Sequence, residues 1–224
     1  MALNNPEMVL FDLDGTLVDS APDLAYAIDT MLEQIGLPKR GVDKIRHWIG
    51  NGIERTVKRA LLDDMDGEPE PELFDRAYPI FMETYTTNAA RLTRFYDGVQ
   101  EGMEYLKKNH YKIGCVTNKQ EKFTHIVLKE LGIFDDFGIV ISGDSLPEKK
   151  PAPLPLLHAA RYFNVRPENS LMIGDSLNDV QAARAAGFKV LCVSYGYNHG
   201  NNIHDISPDA VVDSLAELPM LLNA

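Results

Sequence analysis

Positive charge is scarce in this chain: 22 lysines and arginines stand against 33 aspartates and glutamates, a formal net charge of -11 over 224 residues. That balance disfavours a nucleic-acid backbone or an anionic membrane as partner, but not a small anion held by a local cluster of cations and N–H groups. Cysteine is nearly absent. Cys115 in "KIGCVTN" and Cys192 in "KVLCVSY" both lie in apolar runs, so they read as buried thiols rather than a disulfide or a metal pair. No apolar stretch approaches the ~20 residues that cross a bilayer. The N-terminus has no basic region leading into an uninterrupted apolar segment, and the expectation is a soluble, cytoplasmic protein. Internal repeats are lacking too. The acidic "DDMDGEPEPE" (63–72) lacks the full Ca²⁺-loop pattern and reads as a solvated loop.

What is present is a rhythm of short apolar runs: "MVLF" (8–11), "IGCVT" (113–117), "GIVIS" (138–142), "LMIG" (171–174) and "VLCVS" (190–194). Runs of this kind are strands buried on both faces, as in parallel sheets. Between the later ones lie helix-period segments, two of them closed by Gly132 and Gly187. Strand–helix alternation implies right-handed crossovers and a doubly wound α/β sheet. The stretch from about Ala21 to Ala90 breaks the rhythm with helical patterns alone, Leu24, Ile28, Leu32 and Ile35 marking the first. It reads as an inserted α-helical cap, residues 19–90, on a core made of 1–18 and 91–224. Pro79 is expected to kink or bound the last cap helix.

Ligands of a doubly wound sheet bind at the carboxyl ends of its strands. The first strand delivers Asp12 and Asp14, with Gly15 and Thr16 in the turn. On an extended strand two such carboxylates face the same way, about 6 to 7 Å apart at Cα, and oppose each other unless a cation or a proton intervenes. The second run delivers Thr117 and Asn118, the loop after the third Lys149 and Lys150, and the fourth Asp175 with Asp179 one helical turn on. Each alone has a plain structural use: acids as turn or helix caps, Thr and Asn as a strand-to-helix cap, lysines as surface charge. Their order at successive strand ends points instead to a Mg²⁺ site facing a phosphoryl group. Asp12 would attack phosphorus, and Asp14, beside an ionised Asp12, would carry the proton that the leaving alkoxide needs.

"FDLDGTLVDS", "VTNK", "KKPAP" and "GDSLND", in this order and with a helical insert after the first, resemble the four motifs of the haloacid dehalogenase superfamily. The resemblance implies Asp12 as nucleophile and Asp14 as general acid/base. It implies Mg²⁺ on the Asp12 carboxylate, the Asp14 backbone carbonyl and Asp175, with Asp179 nearby or through water. Thr117 and the Asn118 N–H would bind phosphoryl oxygens, and Lys150, rather than Lys149, would neutralise Asp12. An acid at position 14 implies phosphoryl transfer rather than dehalogenation. A phosphorylatable signalling receiver shares such a cluster, but its phosphorylated Asp ends a later strand and no cap follows the first.

"HWIGNGIERTVKRAL" (47–61) and the tail from Ser194 to Leu218 resemble the bacterial phosphoglycolate phosphatases within that superfamily. The implied substrate is a small phosphomonoester, 2-phosphoglycolate first, with a sugar-phosphate phosphatase or phosphosugar mutase as the alternative. Asn51 and Gly52 precede a helix whose first amides could face a substrate carboxylate, with Arg55 one turn later. Equally, Gly50 and Gly52 could merely stop one cap helix and start the next. His199 and His204 lack partners at metal-ligand spacing and read as surface or structural residues. The chain is expected to work as a monomer or homodimer.

Overall fold

The computed structural model describes Leu3 and residues 6–222. Its strands are β1 (Met8–Phe11), β2 (Val18–Asp19), β3 (Arg94–Phe95), β4 (Lys112–Val116), β5 (Ile139–Ile141), β6 (Ser170–Gly174), β7 (Lys189–Val193) and β8 (Ala210–Val212). Six of them form one sheet in the order β5-β4-β1-β6-β7-β8. Every neighbouring pair in it is parallel, with Leu10 of central β1 facing Gly114 on one side and Met172 on the other. The helices are α1 (Ala21–Gln34), α2 (Val42–Arg46), α3 (Ile53–Leu62), α4 (Pro71–Asn88), α5 (Val99–Lys108), α6 (Glu121–Glu130), α7 (Leu154–Phe163), α8 (Leu177–Ala186) and α9 (Leu218–Leu222).

Alternation along β1 explains why helices cover both faces. Val9 and Phe11 join one apolar layer with Met103 of α5 and Val127 of α6. Met8 and Leu10 join the opposite layer with Leu156 of α7 and Val180 of α8. This is the doubly wound α/β sheet that the apolar runs imply. Cys115 and Cys192 are free thiols, one buried in each layer.

Helices α1–α4 leave the sheet after β1 and bury a third layer of their own. Leu24, Ile28, Met31 and Leu32 of α1 meet Phe81 and Tyr85 of α4, with Trp48 in the same cluster. Helix α4 runs through Pro79 without ending there. The lost backbone hydrogen bond costs about 3 kcal/mol, which burial of Ala77, Phe81 and Tyr85 along one stripe offsets. Segment 63–70 is mostly exposed.

Two features have no periodic signal. β2 and β3 make a two-residue antiparallel ribbon, pairing Val18 with Phe95 and Asp19 with Arg94, where the chain enters and leaves the helical insert. β8 is a three-residue edge strand inside a polar tail, too short for alternation to reveal.

Candidate active site

The carboxyl ends of β1, β4 and β6 meet at the helical insert. Gly15, with φ +87°, turns the chain immediately after Asp14, and a Cβ there would lie 2.4 Å from Asp175 Oδ2. Only glycine accepts both that backbone angle and that approach. The turn lets Thr16 donate from Oγ1 to Asp175 Oδ1 at 3.0 Å.

Asp12, Asp175 and Asp179 bring carboxylate oxygens within 4.8 Å of one another. Lys150 reaches into the cluster with its Nζ 3.0 Å from Asp12 Oδ1 and 2.7 Å from Asp179 Oδ1. Lys149 turns the other way, donating to the Asn51 carbonyl at 3.0 Å. The second oxygen of Asp179 accepts from the N–H and hydroxyl of Ser176 at 3.1 and 2.8 Å and from the Asp175 N–H at 3.3 Å. Asp179 is thus bonded at both oxygens and completes a capping box with Ser176 at the start of α8. Asp12 keeps one carboxylate oxygen outside these bonds, since Leu13 N–H and Lys150 both meet Oδ1.

Burial decides the electrostatics. Desolvation pushes the Asp12 carboxyl up to about 6, with Lys150 opposing and Asp179 adding to the rise. Desolvation also raises Asp175 well above the ordinary aspartate range, reinforced by Asp179 and Asp12. Burial works against the Lys150 ammonium, yet its two carboxylate neighbours outweigh that and hold its pKa above the usual lysine value. Three close carboxylates therefore face a single ammonium. A hard divalent cation fits this all-oxygen donor set and its surplus negative charge.

Asp14 has a different partner. Lys119 places its Nζ 3.0 Å from both oxygens of Asp14, and Ser20 Oγ donates to Oδ1 at 2.5 Å. Tyr85 of α4 lies against the same ammonium, its hydroxyl 2.8 Å from Nζ. The sequence alone points to no role for Lys119 or Ser20; it leaves a cation or a proton as the relief for the Asp12–Asp14 repulsion. The available signal was a lysine directly after Thr117 and Asn118, at a strand's carboxyl end, in a chain short of cations.

Thr117 is buried and accepts from the Lys119 N–H at 3.2 Å. Asn118 donates from Nδ2 to the Lys150 carbonyl at 2.9 Å and to the Gly50 carbonyl at 3.0 Å, leaving its buried Oδ1 without a partner among the described residues. Both residues line a small chamber of about 30 Å³ over Asp12 and Asp14, roofed by Leu24, Ile49 and Ile53 of the insert. Gly52 and Ile53 also wall an outer cleft of about 310 Å³, together with Asn51, Arg55 and Lys149. Arg55 is absent from the inner chamber. Its guanidinium bonds the carbonyls of Met65 and Gly67 and the carboxylate of Glu68 at 2.6 to 3.1 Å.

Backbone carbonyls of the 47–51 loop, more than its amides, meet the core. Asn118 and Asn178 donate to Gly50 at 3.0 and 3.3 Å, Lys149 donates to Asn51, and Nδ1 of His199 lies 2.8 Å from His47 O.

Comparison with known proteins agrees with this geometry. Residues 9–193 match the family model described as haloacid dehalogenase-like hydrolase. A protein of Nitrosococcus oceani named phosphoglycolate phosphatase is 58% identical over 221 residues, covering 99% of this chain and 98% of the relative. A phosphoglycolate phosphatase of Nitrosospira multiformis is 49% identical, with 96% and 95% covered. The crystal structure of a "predicted phosphoglycolate phosphatase" from Haemophilus somnus superposes with a TM-score of 0.89 at 33% identity, covering 97% of this chain and 98% of that one. On motif order, site geometry and these matches, the chain belongs to the haloacid dehalogenase-like hydrolases.

Proposed function

We propose that this protein hydrolyses a small phosphomonoester, 2-phosphoglycolate, to glycolate and phosphate through an aspartyl-phosphate on Asp12. The observation that carries the reading is the division between two carboxylates two residues apart: Asp12 beside Lys150, and Asp14 beside Lys119 and Ser20. Full-length relatives named phosphoglycolate phosphatase support the substrate. The insert, residues 19–90, serves as the substrate-selecting cap, and 1–18 with 91–224 as the catalytic core.

Mg²⁺ is the proposed metal, on the Asp12 and Asp175 carboxylates and the Asp14 backbone carbonyl. When bound, it neutralises the phosphoryl oxygens so that an anionic nucleophile can approach. Asp179 acts from behind, holding Lys150 and the Asp175 backbone. Asp12 Oδ2 attacks phosphorus in line as the ester P–O bond breaks, and Asp14, in its protonated form rather than as the carboxylate paired with Lys119, gives its proton to the leaving glycolate oxygen. In the second step water attacks the phosphorus, Asp14 takes its proton, and the bond to Asp12 breaks. Thr117 and the Asn118 N–H bind the equatorial oxygens, while Lys150 offsets the charge beside Asp12. Asn51 and Gly52 bound the route between the outer cleft and the chamber.

A phosphate-release screen over small phosphomonoesters, with and without Mg²⁺, tests this. Phosphoglycolate is expected to give the highest kcat/KM, and Asp12→Asn and Asp14→Asn to abolish turnover. Activity surviving Asp12→Asn would overturn the mechanism; preference for hexose phosphates would overturn the substrate alone.

A further inference from the structure

The tail segment "SYGYNHG" (194–200) follows β7 and takes no part in the chemistry above, yet it wraps the site. Tyr195 donates its hydroxyl to the Thr16 carbonyl at 2.9 Å, and Tyr197 donates its N–H to Asp175 Oδ2 at 2.7 Å. Between them, Gly196 passes so close that a Cβ would lie 2.1 Å from Asp175 Cβ. One end of Tyr197 is thereby fixed to the carboxylate cluster.

The other end reaches the start of α1. The phenol oxygen accepts from the N–H groups of Ser20 and Ala21 at 2.9 and 3.1 Å and donates to Asp19 Oδ1 at 2.9 Å. That uses its one donor and both acceptor positions. Arg46 of α2 holds Asp19 with two bonds of 2.8 and 3.0 Å and stacks 5.3 Å from the Tyr197 ring centroid. The phenol is therefore clamped from the start of α1 and from α2 together.

The first N–H groups of a helix have no partner within it, and a serine at the N-cap ordinarily supplies one from its own side chain. Ser20 holds that position in α1 but makes no such bond. Its hydroxyl points instead to Asp14 Oδ1, while an outside phenol takes the Ser20 and Ala21 amides.

We infer that Tyr197 is a positioning residue for the acid/base step: by fixing the Ser20 backbone it aims the Ser20 hydroxyl at Asp14, and it ties that aim to the Asp175 carboxylate. This rests on the reading of Asp14 as general acid/base. Tyr197 does not line the chamber over Asp12 and Asp14. Its loss acts on kcat through the placement of Asp14, and leaves substrate binding alone.

The test is Tyr197→Phe, which keeps the ring and the backbone N–H and removes the hydroxyl, measured beside Ser20→Ala, Ser20→Thr and the Tyr197→Phe/Ser20→Ala double variant. Misplacement of about an ångström costs up to ~100-fold in rate. Tyr197→Phe is expected to lower kcat by about 10- to 100-fold on phosphoglycolate, with KM changed less than about twofold. In the Ser20→Ala background the same substitution is expected to cost less than about twofold, because the hydroxyl that it aims is gone. Ser20→Thr, which keeps a hydroxyl, is expected to retain most of the rate. Should Tyr197→Phe not fold, Arg46→Met, which releases Asp19 and so the phenol it orients, carries the same kcat-against-KM test. A kcat within twofold of wild type, or a loss that persists in full without Ser20, overturns the inference while the hydrolase reading stands. A wild-type enzyme that releases phosphate from no phosphomonoester sinks both.

Discussion

Lys119 and Asp14 form a nearly water-free ion pair, the ammonium 3.0 Å from both carboxylate oxygens and 1% of the lysine side chain exposed. Deleting one partner of such a pair leaves the other charge uncompensated, a loss of about 3 to 5 kcal/mol. For a chain of this size each kcal/mol corresponds to roughly 2 to 4 °C in Tm. Lys119→Met is therefore expected to unfold about 6 to 20 °C lower and to lose at least ~100-fold in phosphate release. Thermal unfolding and initial rates check this; a wild-type Tm with a wild-type rate would show the pair to be idle.

The Asp12 carboxyl sets a pH dependence in the metal-free protein. Its folded pKa, raised by burial to about 6, exceeds the ordinary 3.8. The folded state therefore binds this proton more tightly than the unfolded chain does. The sign is the reverse of the usual carboxylate: this stability is fully present below the ordinary 3.8 and is lost as pH rises from there through about 6. The raised Asp175 acts in the same direction. In EDTA, Tm is expected to rise between pH 7.5 and pH 5.5, and Asp12→Asn to flatten but not erase that slope. A wild-type Tm that falls steadily over this interval would contradict the assignment.

Much of the architecture was legible because it repeats. Strand runs such as 8–11 and 171–174 are apolar on both faces, and α1 buries the Leu24, Ile28 and Leu32 of its helical pattern. The order of carboxylates and lysines along the chain was legible because each follows a strand end. The relations among side chains were not. Ser20 shows the limit: it stands at the N-cap of α1, and only the fold reveals that Tyr197, far along the chain, takes the neighbouring amides and leaves the hydroxyl to Asp14. Lys119 was hidden for the same reason, since its partners come from β1 and from α4.

Removing protons and adding metal are linked at Asp12 and Asp175. A metal competes with the proton for the same oxygens, so its apparent affinity weakens as pH falls through the raised pKa. Saturating Mg²⁺ at about 100 Kd stabilises a folded state by about 2.7 kcal/mol. Mg²⁺ is thus expected to raise Tm by about 5 to 10 °C at pH 7.5 and by clearly less at pH 5.5. Asp175→Asn is expected to remove most of that increment at both pH values. An increment that is equal at the two pH values, or that survives Asp175→Asn, would move the metal away from this cluster.

Arg55 discriminates between two ways in which the cap could choose a substrate. A guanidinium facing the substrate carboxylate would raise KM on removal, by tens- to hundreds-fold for a lost charge-assisted contact. Here the group is held by Met65, Gly67 and Glu68, and Lys58 shares that glutamate at 2.7 Å. Its work is to fasten the 63–70 loop onto α3. Arg55→Met is therefore expected to lower Tm by a few degrees, about 1 kcal/mol for the lost bonds, while kcat/KM for phosphoglycolate changes less than about threefold. Paired measurements of Tm and steady-state kinetics decide it. A large rise in KM at unchanged Tm would mean that Arg55 leaves the loop to meet the substrate.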